Sequence, residues 1–96
     1  MRISFFAFFL FSLVEVSAQD LYYQRGVYSY SLGSYEQAIE DFNQSLAITP
    51  KALDTYYYRG HSYLYLGRYD KALKDLKIID AIYEAVKSGK KVNLKL

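Results

Sequence analysis

The chain has 96 residues, 52% of them hydrophobic, and a formal net charge of +2. That length bounds it to one small domain, the apolar content excludes a disordered chain, and the near-neutral charge gives no field that would draw it to nucleic acid. Cysteine is absent, which excludes disulfides, thiolate nucleophiles, thiolate metal sites and a lipidated cysteine anchor, so folding rests on packing alone.

The N-terminus carries one basic residue, Arg2, followed by an apolar block from Ile3 to Val14 that only Ser4 and Ser12 dilute. A membrane-crossing helix needs about 20 such residues. A secretory signal needs an apolar region of about 7 to 15 between a positive start and a small-residue cleavage site. Val16-Ser17-Ala18 supplies that site. Residues 1–18 are therefore read as a signal peptide, removed between Ala18 and Gln19, and the mature chain as exported, periplasmic or secreted.

The rest of the chain repeats itself. At an offset of 34, the stretch from Leu21 aligns with the stretch from Thr55: Tyr22, Tyr23, Arg25, Gly26, Leu32, Gly33, Tyr35, Ala38 and Asp41 recur as Tyr56, Tyr57, Arg59, Gly60, Leu66, Gly67, Tyr69, Ala72 and Asp75. Each unit divides at a glycine, Gly33 or Gly67, placed where a helix would end in the left-handed conformation. The pattern predicts a first helix from about Asp20 to Leu32. Ser34 then caps a second helix, Tyr35 to about Ile48, with Gln37 completing a capping box and Pro50 closing the unit. Tyr35, Ala38, Ile39, Phe42 and Leu46 form the apolar stripe of that helix. In the second unit the helices run from about Asp54 to Leu66 and from Tyr69 to about Lys87, where Ser88 and Gly89 stop the helix. The stripe there is Tyr69, Ala72, Leu73, Leu76 and Ile79. After Lys87 come Lys90, Lys91 and Lys95 with no acid, a short basic tail over 87–96.

A 34-residue helix-turn-helix unit with an aromatic opening, a mid-helix glycine, a Gly-x-Tyr turn, an early alanine in the second helix and a closing proline resembles the tetratricopeptide repeat. The resemblance implies an all-α fold of two stacked helix-turn-helix units, a short α-solenoid with an extended C-terminal helix: 19–52 as the first repeat and 53–86 as the second. It further implies that Gly26 meets Ala38 and Gly60 meets Ala72 where the helices of a unit cross. The first helices of such units line a concave surface. The family's binding positions fall here on Tyr23, Val27, Tyr30, Tyr57, His61, Leu64 and Tyr65. Tyr22, Tyr35, Tyr56, Tyr63 and Tyr69 are expected to pack between helices. Chaperone-binding members hold a peptide carboxylate with asparagine and lysine. Val27, His61 and Tyr23 stand in those places, so the resemblance implies an extended peptide or a partner helix instead.

The sequence also departs from the family pattern. Arg25 and Arg59 replace a leucine, which suggests a polar edge, and Ile79 and Glu84 replace a small residue and the closing proline in the second unit. The last helix therefore runs on with an apolar face, and either self-association through Leu76, Ile79, Tyr83 and Val86 or the docking of a partner there is expected.

No reactive constellation emerges. His61 is the single histidine and Asp54 lies almost two turns away, so neither a metal site nor an activated nucleophile is assembled. Asp70, Asp75 and Asp80, spaced by five, scatter round a helix and read as solvation. Asn43-Gln44-Ser45 fits a glycosylation sequon, but within a helix. The chain is accordingly expected to be no enzyme, to need no cofactor or metal, to bind no nucleic acid, and to serve as a protein-interaction module. The alternative is an accessory or saccharide-binding segment of an exported enzyme or transport complex.

Overall fold

The computed structural model describes residues 20–89. Among them the chain forms four helices and no strand: α1 (20–31), α2 (Tyr35–Ile48), α3 (Leu53–Tyr65) and α4 (Tyr69–Ser88). This is the expected all-α pair of helix-turn-helix units, and each boundary falls within a residue or so of its sequence prediction. The signal segment and the lysines Lys90, Lys91 and Lys95 lie outside the described residues.

The two inner turns are built alike. Gly33 and Gly67 take φ of 78° and 77°, a region that costs a side-chain-bearing residue about 1–2 kcal/mol. The residue after each glycine donates its backbone N–H five residues back: Ser34 to the Ser29 carbonyl at 2.9 Å and Arg68 to that of Tyr63 at 2.8 Å. This is the 6→1 closure of a left-handed helix end. It also corrects the expected capping box. Ser34 occupies the cap position, but its side chain makes no cap hydrogen bond, with φ −86° and ψ 68°. Its N–H, which Gln37 was to satisfy, is already committed to Ser29. In the second unit the cap position is Arg68, which has no side-chain acceptor at all. Instead Arg68 reaches across to Glu36 in the first turn of α2 and ties one turn to the other with two hydrogen bonds. The outer loop after α2 is held by the Tyr56 hydroxyl, which donates to the Pro50 carbonyl at 2.8 Å.

Each unit closes where a mid-helix glycine meets the second helix. A Cβ at Gly26 would come within 2.9 Å of Phe42 Cζ and closer still to two other ring atoms, so Phe42, not Ala38, is what the glycine admits. At Gly60 a Cβ would lie 3.2 Å from Asp75 Cβ and 3.8 Å from the Ala72 carbonyl oxygen. The expected Gly60–Ala72 approach is thus present through the Ala72 backbone, while the side chain nearest the glycine belongs to Asp75. One helical turn separates the expected contact from the closest one. Ala38 and Ala72 are still almost completely buried.

Asp75 is no solvating carboxylate, contrary to the sequence reading. It is buried, and Arg59 donates to it through Nε at 2.9 Å and Nη2 at 2.7 Å. The Arg59 guanidinium also lies over the rings of Tyr56 and Tyr63, 5.3 and 6.0 Å from their centroids. Burial alone would lower the Arg59 pKa, but the hydrogen bonds and charge of Asp75, with smaller contributions from Tyr63 and Tyr56, raise it above its ordinary value. The first unit repeats the pair in a looser form: Arg25 Nη2 stands 3.7 Å from Asp41 Oδ1, with the arginine largely in solvent. The polar edge expected from Arg25 and Arg59 is therefore in part a buried, hydrogen-bonded one.

The apolar interior gathers in two clusters that link the units. Leu46 of α2 joins Tyr56 of α3 and Ile78 and Ile82 of α4, and Ile39 of α2 joins Tyr63 and Ala72. The α2 stripe faces inward as expected, with Tyr35 half-buried. The α4 stripe does so only at Ala72, which is buried, and Ile79, which is half-buried against the first cluster. The buried residues of α4 are Ala72, Asp75, Ile78, Ile82 and Ala85, while Tyr69, Leu73, Leu76, Tyr83 and Val86 are exposed. The hydrogen-bonded Asp75 occupies a core position that a hydrophobic pattern skips.

Three substitutions read this geometry out as stability. Gly26→Leu should lower the melting temperature despite its better helix propensity, by a loss of about 1–3 kcal/mol from overpacking against Phe42. Asp75→Ala should cost about 1–3 kcal/mol by leaving the partly buried Arg59 guanidinium without its carboxylate. Asp41→Ala, whose partner is solvated, should cost about 1 kcal/mol or less through its ion pair. Denaturant unfolding of the two aspartate variants would give equal losses if the pairs were equivalent.

Candidate docking face

α1 and α3, the first helices of the two units, meet along a ladder of tyrosine rings. Tyr58 sits at its centre. Its ring lies 6.2 Å from Tyr23 and 5.2 Å from Tyr30 on α1, 6.0 Å from Phe42 on α2, and 5.4 Å from its neighbour Tyr57. Tyr30 touches Tyr65 edge-on at 6.1 Å, and Tyr65 stacks on Tyr35 at 4.7 Å with planes 9° apart. Most of these contacts are edge-to-face, the arrangement that the ring quadrupole favours, and each is worth about 0.5–1.5 kcal/mol beyond burial. The ladder couples the units and fixes which aromatic surface remains outside.

The residues singled out from sequence divide accordingly. Tyr23 and Tyr30 are half-buried within the ladder, and Val27 is half-buried between them on α1. Tyr57, Leu64 and Tyr65 are exposed on α3. His61 is half-buried, its ring 4.3 Å from that of Tyr57. His61 Nδ1 lies 2.9 Å from the Tyr57 carbonyl oxygen. A carbonyl only accepts, so the proton in that contact is on Nδ1. The structure thus brings Tyr30 and Tyr65 together directly and Tyr57 with His61, while Tyr23 joins them through Tyr58.

Tyr58 escaped the sequence reading because the repeat hides it: its counterpart at offset 34 is Gln24, so no recurrence marks it. Tyr35 was assigned to packing and also forms the base under Tyr65. Tyr56 and Tyr63 are buried as expected, whereas Tyr69 is exposed.

Ionisable groups on this face are few. A hollow of about 200 Å³ at one end is lined by Tyr23, Ala52, Leu53, Asp54 and Thr55. Burial first, then the charge of Asp54, then Tyr58 and Asp20, push the Tyr23 pKa up from its ordinary 10.0. Burial also raises that of Tyr30, followed by Tyr65 and then Tyr35 and Tyr57. Among the described residues no group of three or more His, Cys, Asp or Glu side chains could hold a metal ion, and no helix is long and apolar enough to cross a membrane. The Asn43 sequon is engaged otherwise: Asn43 Oδ1 accepts a hydrogen bond from Arg59 at 2.9 Å, and Ser45 is buried.

Residues 29–67, from the last part of α1 through α2 and α3 to Gly67, match the family model described as TPR repeat. The match supports the tetratricopeptide-repeat family. No curated protein and no solved structure matches the chain. The matched stretch spans the joint between the two helix-turn-helix units, where the tyrosine ladder lies.

Raised tyrosine pKa values set the alkaline behaviour. Tyr23 and Tyr30 hold their protons to higher pH in the native state than in the unfolded chain, so the native state binds more protons above about pH 10. Their contribution is fully present below that pH and is lost as pH rises through the native values. Thermal melting between pH 8 and pH 11 should show a fall in midpoint, shallower in Tyr30→Phe.

Proposed function

We propose that this chain is an exported protein-interaction module of two tetratricopeptide units, over 19–52 and 53–86, that binds an extended peptide segment or a partner's helix on the concave face of its first helices, α1 and α3. The observation that carries the reading is the tyrosine ladder. Tyr57 and Tyr65 offer exposed area on rings held from beneath by Tyr58, Tyr35 and Tyr30, and Leu64 is exposed on the same helix. Tyrosine gives large, stiff, amphipathic contact area at low cost in conformational entropy, and here the orientation is fixed before a ligand arrives. A TPR repeat supports a protein partner in general. The aromatic face also suits a saccharide, the alternative being a saccharide-binding or accessory segment of an exported enzyme or transport complex.

Export rests on the Arg2, Ile3–Val14 and Val16-Ser17-Ala18 pattern, with cleavage between Ala18 and Gln19. Intact-mass measurement of the exported protein should find an N-terminus at Gln19, and one at Met1 would contradict it. We also read the exposed stripe of α4 as a second contact surface, for another copy of this chain.

The groove reading is tested by pull-down from the exported fraction with the native chain and with Tyr57→Ala/Tyr65→Ala, a variant that gives up ladder contacts and whose melting curve is recorded to show that it is folded at the pull-down temperature. Partners recovered by the native chain should be lost with the double variant. Identical recovery defeats the groove, and tyrosine fluorescence that responds to oligosaccharides but not to peptides favours the saccharide reading.

A further inference from the structure

The two ends of the described helices each leave bare a face that the middle of the molecule buries, and the offset of 34 says which residues correspond. On α2, which α3 covers, Ile39 is 6% and Phe42 0% exposed. Their counterparts on α4, Leu73 and Leu76, are 51% and 36% exposed. On α3, Thr55 and Ser62 are 1% and 0% exposed, and their counterparts on α1, Leu21 and Tyr28, are 54% and 66% exposed. Within its own unit α2 lies against α1 as α4 lies against α3. What buries Thr55 and Ser62 and leaves Leu21 and Tyr28 bare is therefore α2, the helix before α3, which has no equivalent before α1 among the described residues. The bare side of α1 also holds a hollow of about 400 Å³, lined by Leu21, Gln24, Arg25, Tyr28, Ser29, Gln37 and Asp41.

We propose that α4 of one copy docks against α1 of another, head to tail, so that the contact between copies continues the α2–α3 contact within each. This rests on reading α4 as a self-contact surface and adds which face meets it. The ridge of Tyr69, Leu73 and Leu76, extended by Tyr83 and Val86, would enter the hollow beside Leu21 and Tyr28. Because two different patches meet, each pair of copies still presents one open face at each end, and the assembly grows into short chains or closes into a ring instead of stopping at a two-fold dimer.

The contact between copies is weaker than its internal template for two reasons that the residues show. Ser45 and Thr55, small residues at the internal contact, become Ile79 and Leu21, which hold the helices further apart. Arg59 donates to Asn43 across the internal contact at 2.9 Å, whereas the corresponding pair between copies is Arg25 and Lys77, two cations. Added salt screens that pair, so association should tighten with ionic strength. Lys77→Asn, which restores the residue of the first unit, should tighten it about two- to fivefold, the effect of one exposed charge contact.

The test is sedimentation velocity over a concentration series on the native chain, on Leu73→Asp, on Tyr28→Asp and on an equimolar mixture of the two variants, with melting curves to show that the exposed substitutions leave each variant folded. The native chain should pass beyond dimer with rising concentration. Each variant alone should remain monomeric, and the mixture should form a heterodimer that grows no further, because it has one intact junction. A native chain that is monomeric throughout overturns the self-contact reading altogether. A Tyr28→Asp variant that still dimerises, or a Lys77→Asn variant that associates no more tightly, overturns docking on α1 while leaving α4 as a self-contact surface.

Discussion

The close crossing of the two helices in each unit is the constraint on which the rest of the structure depends. Gly26 and Gly60 have no side chain, and into that space come the Phe42 ring in the first unit and Asp75 in the second. Helices pack by setting the ridges of one into the grooves of the other, and the spacing is decided by side chains at the crossing. With the glycines in place, Arg59 can reach Asp75 in a two-point hydrogen bond, Phe42 can lie against Tyr58, and α1 and α3 come near enough for their tyrosines to touch. A helix ordinarily loses about 1 kcal/mol at an internal glycine. Here that loss is offset by the packing of a whole face.

Aromatic side chains then carry the crossing outward. Phe42 bridges interior and surface, since it fills the space beside Gly26 and also lies against both Tyr23 and Tyr58. From Tyr58 the contacts run to Tyr30, Tyr65 and Tyr35, so the orientation of the exposed rings is inherited from the core by a continuous chain of contacts. A surface of this kind is pre-organised: its side chains have little freedom left to lose on binding. Function as an interaction module thus connects to the same glycines that set the helix spacing.

Much of this was legible in the sequence because the fold repeats. Gly33 and Gly67 marked the turns, the recurrence at 34 marked the units, and the α2 stripe marked its own buried face. The misreadings have a common physical cause. Asp75 reads as solvated in the sequence because hydrophobic periodicity has no symbol for a buried charge satisfied by a partner 16 positions away, although Arg25–Asp41 and Arg59–Asp75 recur together. Once Asp75 is placed inward, the α4 stripe rotates, Ile78 and Ile82 turn in, and Leu73 and Leu76 turn out. Ser34 read as a capping residue because the motif is local, whereas the competing hydrogen bond to Ser29 belongs to the turn before it. Tyr58 has no recurrence to mark it, because it stands opposite Gln24.

The central claim is that the two units stack so that α1 and α3 share one tyrosine face. Nuclear Overhauser contacts between tyrosine ring protons, in protein labelled selectively at tyrosine and assigned by single Tyr→Phe variants, measure this directly. The structure requires contacts from Tyr30 to both Tyr58 and Tyr65, whose ring centroids lie 5.2 and 6.1 Å away. A folded chain that shows Tyr57–Tyr58 contacts within α3 but none between α1 and α3 would contradict the shared face and the binding surface proposed on it.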